Sequence, residues 1–462
     1  MPKKDDLLLL KNWRPLTLLN VDYKILAKII ATRIKKVLLT IIDNDQTGFL
    51  QKRFIGQNIV SLLEIMDFCD ENEIAAMLIS IDFEKAFDQI DWDFIWKSMN
   101  FFKFPKEIID WIRTLYSDAK SCVVNNGHVS EYFNLGRGVR QGCPLSPYLF
   151  IIAAEILAIS IRSNDEIKGI RIGNKENKIK QFADDSQTLS MFDLDSINAT
   201  FKSFEDYGKV SGSTINFDKS KLMRIGNIKN TQVKLKLNYA DVKWTNGPIE
   251  ILGVTFCSTI EETTQVNYSI VINKIDKSIN QWSSQKLTLF GKISVINTVF
   301  LSKLISKLSA LPSPSHETIK QIENKFLEFL WNSRRHPISK QTITNSRKNF
   351  GLKFPCIDFK DKSLKIAWVK RFLDGEPEIV SPYLHLNFKI NLDLFFKCNI
   401  KASDVHECYN GNPTLFWKQV ISIWCESNYR TIQQIEDPKN EILWFNSNIK
   451  VNQKVILSKK CF

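Results

Sequence analysis

Several familiar signatures are missing from this chain of 462 residues. Its nine cysteines form no Cys-x-x-Cys pair, so the sequence indicates neither a zinc knuckle nor a disulfide framework. Cys398, His406 and Cys408 lie near one another in the sequence, but a fourth ligand at suitable spacing is missing, and we interpret them as structural. Cysteine usage of this kind predicts a reduced, intracellular protein, in the nucleus or the cytoplasm.

Long apolar runs and repeats are missing too. The N-terminal stretch MPKKDDLLLLKNWRP has an apolar run of only four leucines, which is too short for the hydrophobic part of a secretory signal. No run in the sequence approaches the length of a transmembrane helix, so we expect no membrane partner. There is no internal repeat and no long low-complexity linker. The length predicts two to four structural units.

Acidic residues are fewer than basic ones. The chain has 63 Lys and Arg against 50 Asp and Glu, a net charge of +13, and its 44% hydrophobic content is enough for a sizeable core. A basic excess of this size suggests a polyanionic partner, although a merely soluble basic protein also fits it. Residues 270–350 alone contain 13 Lys and Arg against 4 Asp and Glu. This concentration of charge predicts a helical module that contacts a phosphate backbone.

Within that module, apolar residues recur at spacings of three and four, as on the buried face of a helix. They are Ile293, Ile296, Phe300, Leu304 and Leu308. The predicted nucleic-acid contacts lie on other faces or farther along the chain, and they are Lys303, Lys307, Arg334 and Arg335.

The rest of the chain alternates between helical and strand patterns. The predicted elements are a helix over 18–42, a buried strand over 77–81, a helix capped by Asp91 or Asp93, a hairpin around Asn125-Asn126-Gly127, a helix from Pro147, two short strands over 179–191, a helix ending near Gly208, a single strand in EILGVTF and helices from Asn267 onward.

The stretch KIKQFADDSQTLS places Asp184 and Asp185 side by side at the tip of a predicted hairpin. Adjacent Asp residues are common in turns, because Asp tolerates turn geometry and accepts hydrogen bonds from nearby amides. The alternative is a divalent metal site, which needs a third carboxylate. Asp82 is the natural candidate, because it ends an apolar strand and would meet Asp184 if the strands were neighbours. Two Mg²⁺ ions about 4 Å apart on such a cluster can support phosphoryl transfer to a 3′-hydroxyl.

Six or more motifs, in order, carry a resemblance to a known family. DFEKAFDQIDW, GVRQGCPLSPYLF and FADD resemble the palm motifs of a reverse transcriptase. NWRPLTLLNVDYKILAKIIATRIKKVL and DQTGFLQKRFIGQNI resemble the fingers motifs of the LINE-type, non-LTR retrotransposon reverse transcriptases, and GSTINFDKSKLM and EILGVTF resemble the motifs that close their palm. KLTLFGKISVINTVFLSKLISKLSALP resembles the family's thumb. The resemblance covers residues 12–373.

The resemblance implies roles at the metal site. Asp82 and Asp184 would be the principal metal ligands, with Asp185 supporting them. Phe83 would lie where the backbone reaches the metal or the triphosphate. The implied cofactor is a pair of Mg²⁺ ions, with Mn²⁺ as an alternative.

It also implies a nucleotide-binding set. Phe87, five residues after Asp82, matches an aromatic steric gate that excludes a 2′-hydroxyl, although a core aromatic fits the position as well. Gln141 and Gly142 would lie against the incoming nucleotide. Arg14 would reach the triphosphate, and Lys219 matches a lysine that protonates pyrophosphate; a surface cation is the alternative for both.

The sequence also departs from full-length members of the family. No endonuclease and no more N-terminal finger segment precede the first motif, and neither a CCHC knuckle nor an RNase H signature follows Leu373. We therefore expect a fragment of an element's reading frame. Residues 374–462 suggest no role.

The expected fold is α+β, a right-hand polymerase with a small, mostly antiparallel palm sheet backed by helices. The predicted divisions are fingers over 1–76, palm with finger insertions over 77–257, a helical basic thumb over 258–350 and a helical C-terminal connector region over 351–462.

The expected function is RNA-directed DNA polymerase, with an RNA template, a DNA primer or target DNA, and dNTPs as partners. One alternative is a catalytically inactive nucleic-acid-binding remnant. Another is an RNA-templated RNA polymerase, against which Phe87 and the fingers motifs argue.

Overall fold

The structure is a computed structural model that describes residues 13, 16–231, 243–244, 247–333, 335–376, 379–398, 400–427, 450–451 and 454–455. The chain divides into two compact units. Unit 1 comprises Met1–Asn58, Asn72–Arg171 and Glu176–Gly247, and unit 2 comprises Ile59–Glu71, Ile172–Lys175 and Pro248–Phe462. The predicted fingers, palm and thumb boundaries stay predictions, and residues 258–350 and 351–462 fall in the same unit.

The elements up to β11, the last strand of the unit 1 sheet, alternate between helices and short strands. They are α1 Val21–Ile41, α2 Ile55–Glu71, β1 Ala76–Ile81, α3 Ala86–Gln89, α4 Trp92–Phe101, α5 Lys106–Tyr116, β2 Lys120–Ser121, β3 Val124–Asn125, β4 His128–Val129, β5 Phe133–Asn134, α6 Ser146–Ser163, β6 Ile170–Ile172, β7 Lys175–Asn177, β8 Ile179–Phe182, β9 Asp185–Met191, α7 Leu194–Ser211, β10 Lys221–Ile225 and β11 Lys243–Trp244.

One five-stranded sheet organises unit 1, in the order β11-β10-β1-β9-β8. Strand β1 lies between β10 and β9 and pairs antiparallel with both, and β8 pairs antiparallel with β9. Only β10 and β11 run parallel within this sheet. The central strand is apolar except at Ser80 because both of its faces are covered, and Met77, Leu78 and Ile79 are fully buried.

Local sequence signals in unit 1 are confirmed. The Asp91 side chain accepts a hydrogen bond from the backbone N–H of Asp93 and caps α4. The hairpin of β3 and β4 turns at Asn126-Gly127, both of which have positive φ, as a tight two-residue turn requires. Helix α6 begins at Ser146, one residue before the predicted start, and is buried over most of its length.

Two predictions about element boundaries need correction. EILGVTF is not one strand but a hairpin of two, β12 Ile249–Ile251 and β13 Val254–Phe256. Leu252 and Gly253 both have positive φ and reverse the chain between the two strands. Helix α7 continues past Gly208 to Ser211 and ends at Gly212, whose φ of 75° provides the left-handed conformation usual after a helix.

Unit 2 is mainly helical after that hairpin. Its helices and remaining strands are α8 Ile260–Ser283, α9 Leu289–Val295, α10 Ser302–Ala310, α11 His316–Trp331, α12 Lys340–Thr344, α13 Ile357–Leu373, α14 Pro382–Leu386, α15 Leu392–Lys397, α16 Leu415–Glu426, β14 Lys450–Val451 and β15 Lys454–Val455. Helix α8 starts seven residues before the predicted helical region, where the Thr259 side chain caps it.

The predicted apolar stripe forms the core of unit 2. Ile293, Ile296, Phe300, Leu304 and Leu308 are all buried in one cluster. They do not lie on one straight helix, because a π-helical segment, Ile296–Phe300, separates α9 from α10 and the two parts are bent by 42°.

The expectation that no segment is long enough to cross a membrane needs correction. Among the described residues, α6 meets the requirements of length and apolar composition, and the bent pair of α9 and α10 meets them as a broken span. In α6, 61% of the apolar stretch is buried inside the structure, as in the core helix of a folded domain.

Candidate active site

The sheet of unit 1 brings the three predicted carboxylates to one end. Ile81, the last residue of β1, pairs with Ser186 of β9, so Asp82 comes level with Asp185 in this antiparallel register. Asp184 lies in the two-residue turn between β8 and β9, where Phe182 pairs with Asp185. The two strands are neighbours, as the sequence prediction required.

A cavity of about 430 Å³ opens at this end of the sheet. Its lining includes most of the predicted site residues together with several that were not singled out. The lining residues are Trp13, Phe49, Asp82, Phe83, Lys85, Ala86, Phe87, Asp88, Arg140, Gln141, Gly142, Cys143, Ser146, Pro147, Asp184 and Asp185. The structure therefore brings the three carboxylates and three predicted nucleotide contacts, Phe87, Gln141 and Gly142, to a single cavity, whereas Lys219 is not in its lining and Arg14 lies outside the described residues.

Asp82 forms an ion pair with a lysine side chain. The Lys219 Nζ lies 2.9 Å from Asp82 Oδ2, with both side chains partly exposed. The chain segments are also joined through the backbone, since the Asn216 N–H donates to the Asp82 carbonyl at 2.8 Å. Lys219 thus lies at the carboxylate of the predicted metal ligand.

The two phenylalanines near Asp82 differ in their surroundings. Phe83 is buried and packs against Phe204 and Tyr207, with ring centroids 5.7 and 5.9 Å away. Phe87 is half-buried, and its ring stacks on Phe150 at 4.3 Å while one side lines the cavity. Phe87 therefore combines both interpretations: it packs as a core aromatic and presents a rigid surface to the cavity.

The loop of Gln141 and Gly142 is held on two sides. The Gln141 Nε2 donates to Asp88 Oδ1 at 3.2 Å, and its carbonyl accepts from the Thr17 N–H at 3.1 Å. Gly142 has a φ of 101°, a conformation that favours glycine, and a Cβ there would lie 3.0 Å from the Thr17 carbonyl oxygen. These contacts leave the backbone of Gly142 uncovered at the cavity wall.

Arg140 supplies a fixed positive charge in the same loop. Its guanidinium lies over the rings of Tyr23 and Tyr116, 4.8 and 5.3 Å from their centroids. Contacts between a cation and an aromatic face are stabilising and restrict the side chain. Lys85 is the other cation of the cavity lining, and its φ of 43° places it in the left-handed region.

The carboxylates form an open donor set. Within the part of the chain that the structure describes, no three or more His, Cys, Asp or Glu side chains lie close enough to hold a metal ion as a group. Mg²⁺ suits such an open site, because it usually takes one or two carboxylates and keeps water or phosphate oxygens as its other ligands. Asp82 and Asp184 both line the cavity, so each could supply one such carboxylate. The residues present therefore fit a divalent ion that is shared with a substrate phosphate.

The predicted basic residues outside unit 1 have different outcomes. Lys307 is buried and donates to the Gly253 carbonyl, and burial, together with the nearby charge of Lys274, lowers its pKa to about 8. The prediction that Lys307 lies on a solvated face and contacts phosphates is therefore wrong. Lys303 is half-buried and Arg335 is exposed, so both stay candidates. Arg334 and, in unit 1, Arg14 lie outside the described residues.

Sequence reasoning missed some residues near the site. Arg140 is the single basic residue of the GVRQGCPLSPYLF motif and lies between two glycines. That position was the signal that could have indicated a role for Arg140 at the site. Gln46 and Gly48 stand inside DQTGFLQKRFIGQNI, but nothing local indicated that they contact Ala183, 137 and 135 positions away. Contacts of that range need the tertiary structure.

Comparison with known proteins identifies the family. The family described as "Reverse transcriptase (RNA-dependent DNA polymerase)" matches residues 1–256. The Transposon TX1 uncharacterized 149 kDa protein of Xenopus laevis is 29% identical over 381 residues, which is 82% of this chain and 28% of that protein. The Pol polyprotein from type-2 retrotransposable element R2DM of Drosophila melanogaster is 29% identical over 175 residues, 38% of this chain and 16% of that protein.

A solved structure of telomerase from Candida Tropicalis also overlaps with this chain. It has a TM-score of 0.36 and 14% identity, and the overlap covers 78% of this chain and 56% of that chain. A TM-score this low adds nothing to the assignment, which depends on the sequence comparisons.

The family match spans more than half of the chain, so the chain belongs to the reverse transcriptase family. Membership of the reverse transcriptase family is therefore confirmed, and the two transposon and retrotransposon relatives agree with the predicted LINE-type resemblance. The family supports a right-hand polymerase fold with mixed helix and sheet, and its members use RNA templates and divalent metal ions. The chain spans less than a third of the two relatives named above.

Proposed function

We propose that this chain adds dNTPs to the 3′-hydroxyl of a DNA primer or target DNA, with RNA as the template. One observation carries the proposal: Asp82, Asp184 and Asp185 line the same cavity as Phe87, Gln141 and Gly142. A cavity lined by carboxylates, a fixed aromatic ring and the exposed backbone of a glycine has the parts that nucleotidyl transfer needs. Unit 1 would then contain most of the fingers and palm, residues 258–350 of unit 2 would form the thumb, and residues 351–462 would be a connector region.

Asp82 and Asp184 would hold a pair of Mg²⁺ ions, or Mn²⁺ as an alternative, with Asp185 beside them. When bound, these ions would activate the attacking oxygen and stabilise the leaving pyrophosphate. The protein's contribution is to fix two carboxylates on adjacent backbone elements. One follows β1 directly, and the other lies in the turn before β9.

Phe87 would select the sugar. Its ring is held against Phe150 and, edge to face, against Phe49 at 6.2 Å, so it cannot easily move aside for a 2′-hydroxyl. Gln141, fixed by Asp88, and the uncovered backbone of Gly142 would lie against the base pair being formed.

Cations around the cavity would receive the triphosphate. Arg140 and Lys85 are in the lining, and guanidinium groups bind phosphate oxygens with good geometry. Lys219 would leave Asp82 when metal binds there, and its ammonium would then be free to donate a proton to pyrophosphate. Arg14 stays a proposed triphosphate contact.

The basic charge of residues 270–350 would bind the phosphate backbone of the template and primer. Lys303 and Arg335 are the remaining members of the predicted set. Exposed lysines elsewhere in the segment, Lys274, Lys277, Lys286, Lys320 and Lys348, extend the candidate surface. An intracellular location stays part of this proposal.

The test is primer extension on an RNA template with Asp82→Asn and Asp184→Asn. We expect each change to lower extension by about 100-fold or more, since each removes a metal ligand, and to leave template–primer affinity within about 2-fold. Asp193→Asn is the matched control, because Asp193 also pairs with a lysine, Lys168, at 2.9 Å, beyond the other end of β9.

Near-normal extension by Asp82→Asn or Asp184→Asn would show that these residues are not catalytic. A wild-type protein that binds template–primer but never extends it would favour the nucleic-acid-binding remnant instead.

A further inference from the structure

The turn that holds Asp184 contains a strained residue. Ala183 has a φ of 56°, in the left-handed region that residues with a side chain rarely adopt. In a two-residue hairpin turn, a first position with positive φ is usually Gly, Asn or Asp, and not alanine. Ala183 is also buried, so its backbone N–H and carbonyl both need partners inside the protein. Something other than the hairpin itself must stabilise this conformation.

One side chain pairs with both groups. The Gln46 Oε1 accepts from the Ala183 N–H at 2.9 Å, and the Gln46 Nε2 donates to the Ala183 carbonyl at 3.3 Å. The same Oε1 also accepts from the Gly48 N–H at 2.8 Å, which orients the amide. Gln46 is 1% exposed, so these bonds do not compete with water.

The segment that carries Gln46 fits closely against the turn. A Cβ at Gly48 would lie 2.4 Å from the Ala183 nitrogen, which no real Cβ does, so only glycine fits without a shift. Next to it, the Thr47 N–H donates to the Gln181 carbonyl at 2.9 Å, and the Gln181 N–H donates to the Asp45 carbonyl at 2.8 Å. Residues 45–48 thus continue the sheet beyond its edge strand β8.

Two basic side chains, Lys180 of β8 and Arg53, also hold that segment. Lys180 Nζ lies 2.8 Å from Asp45 Oδ1, and both side chains are buried. The Arg53 guanidinium donates to the backbone carbonyls of Gln46 at 2.8 Å and Ile42 at 3.1 Å. The segment is therefore a rigid support, and the Gln46 amide transmits its position to the turn.

We propose that Gln46 is a positioning residue for the metal-binding turn: its amide holds Ala183 in the left-handed conformation and so fixes the position of Asp184 in the cavity that Asp82 also lines. This inference rests on the proposed function, because it assumes that Asp184 binds metal. Without the amide, the turn can relax. Asp82 and Asp184 would then no longer be positioned to bind the same pair of metal ions.

Gln46→Met tests this, because methionine has a similar length and shape but cannot form the three hydrogen bonds. Asn58→Leu is the matched control. The buried Asn58 Nδ2 donates to the carbonyl of Gln181 in β8 at 2.7 Å, so this change also removes a buried amide hydrogen bond to β8 but none to the turn. For each variant, Mn²⁺ binding is measured by electron paramagnetic resonance, together with kcat, the KM for dNTP, the Kd for template–primer and the unfolding midpoint.

We expect Gln46→Met to weaken Mn²⁺ binding and to lower kcat, each by about 10-fold, as is usual when a group that orients a metal ligand is lost. The template–primer Kd should stay within about 2-fold. Asn58→Leu should lower the unfolding midpoint by a similar amount and leave Mn²⁺ affinity within about 2-fold. Equal Mn²⁺ affinities for Gln46→Met and wild type, or an equal loss in Asn58→Leu, would overturn the proposal.

Two further variants keep the outcomes distinguishable. If Gln46→Met does not fold, Gln46→Glu and Gln46→Ala are compared instead. Gln46→Glu retains an acceptor oxygen for the Ala183 and Gly48 N–H groups, so it should bind Mn²⁺ more tightly than Gln46→Ala. Equal Mn²⁺ affinities of these two variants would overturn the proposal. Asp184→Asn separates this inference from the proposed function. If Asp184→Asn binds Mn²⁺ as tightly as wild type, the proposed metal site itself has failed.

Discussion

Gly138 offers a sharp test of how the loop of Arg140, Gln141 and Gly142 is built. Gly138 has a φ of 84°, and a Cβ there would lie 2.6 Å from the Asp88 carbonyl oxygen and 2.9 Å from its carbon. Its N–H donates to the Ile90 carbonyl at 2.7 Å, so the backbone cannot move away without losing a hydrogen bond. The perturbation is Gly138→Ala.

The expected cost has two parts. The left-handed conformation costs a residue with a side chain about 1–2 kcal/mol. Overlap with the fixed backbone of Asp88 adds about 1–3 kcal/mol, as overpacking in a well-packed region does. Alanine also restricts the unfolded chain, which offsets about 0.4–1 kcal/mol. We therefore expect Gly138→Ala to lower the free energy of unfolding by about 1–5 kcal/mol.

Two other glycines in unit 1 separate these parts. Gly127 has nearly the same φ, 83°, but nothing lies within 4 Å of a Cβ there, so Gly127→Ala should show the conformational cost alone. Gly136 has open space and no left-handed φ, so Gly136→Ala should change the free energy of unfolding by less than about 0.5 kcal/mol.

The assay is urea unfolding of the wild type and the three variants, with the m value compared between them, followed by the KM for dNTP of each folded variant. The KM should rise for Gly138→Ala alone, because only that change pushes on Asp88, the partner of Gln141. If Gly138→Ala and Gly127→Ala cost the same within 0.5 kcal/mol, the close approach to Asp88 does not constrain the loop.

Three more predictions follow from the geometry. Phe87→Ala should lower discrimination against ribonucleotides by about 10-fold, measured as the ratio of kcat/KM for the two sugars; an unchanged ratio in an active variant would refute the gate. Burial and neighbouring carboxylates raise the pKa of Asp67 to about 6 from an ordinary 3.8, so its contribution is fully present at low pH and lost as the pH rises through 6. Asp67→Asn should therefore raise the free energy of unfolding by about 1–2 kcal/mol at pH 7.5 and change little near pH 4; an equal effect at both would contradict the shift. Changing Lys303 and Arg335 to Gln should reduce the slope of log Kd for template–primer against log salt by about 2, whereas Lys307→Met should leave it unchanged; equal slopes for all three proteins would place the phosphate contacts elsewhere.

The elements with strong local signals were predictable from the sequence. Asp91 caps a helix because its carboxylate reaches an amide two residues away, and Asn126-Gly127 turns because both residues tolerate positive φ. The segments of β1 and of the hairpin with Asp184 and Asp185 were predictable as strands from their local apolar patterns. Their pairing was only a condition of the metal-site prediction, and the structure meets that condition. The order of the reverse transcriptase motifs along the chain indicated the family, and the family match agrees.

Burial and long-range pairing were decided by the tertiary structure. The spacing of Lys307 predicted a solvated face, but the turn at Gly253 covers it and provides a carbonyl for its ammonium. EILGVTF appeared as one strand because its apolar content does not show that Leu252 and Gly253 adopt positive φ.

Lys219 and Gln46 each meet their partners, Asp82 and Ala183, across 137 residues of sequence. Periodicity and turn signals extend over a few residues only, since they depend on local backbone geometry. Which side chain becomes buried, and against which carbonyl, is determined when distant segments pack together.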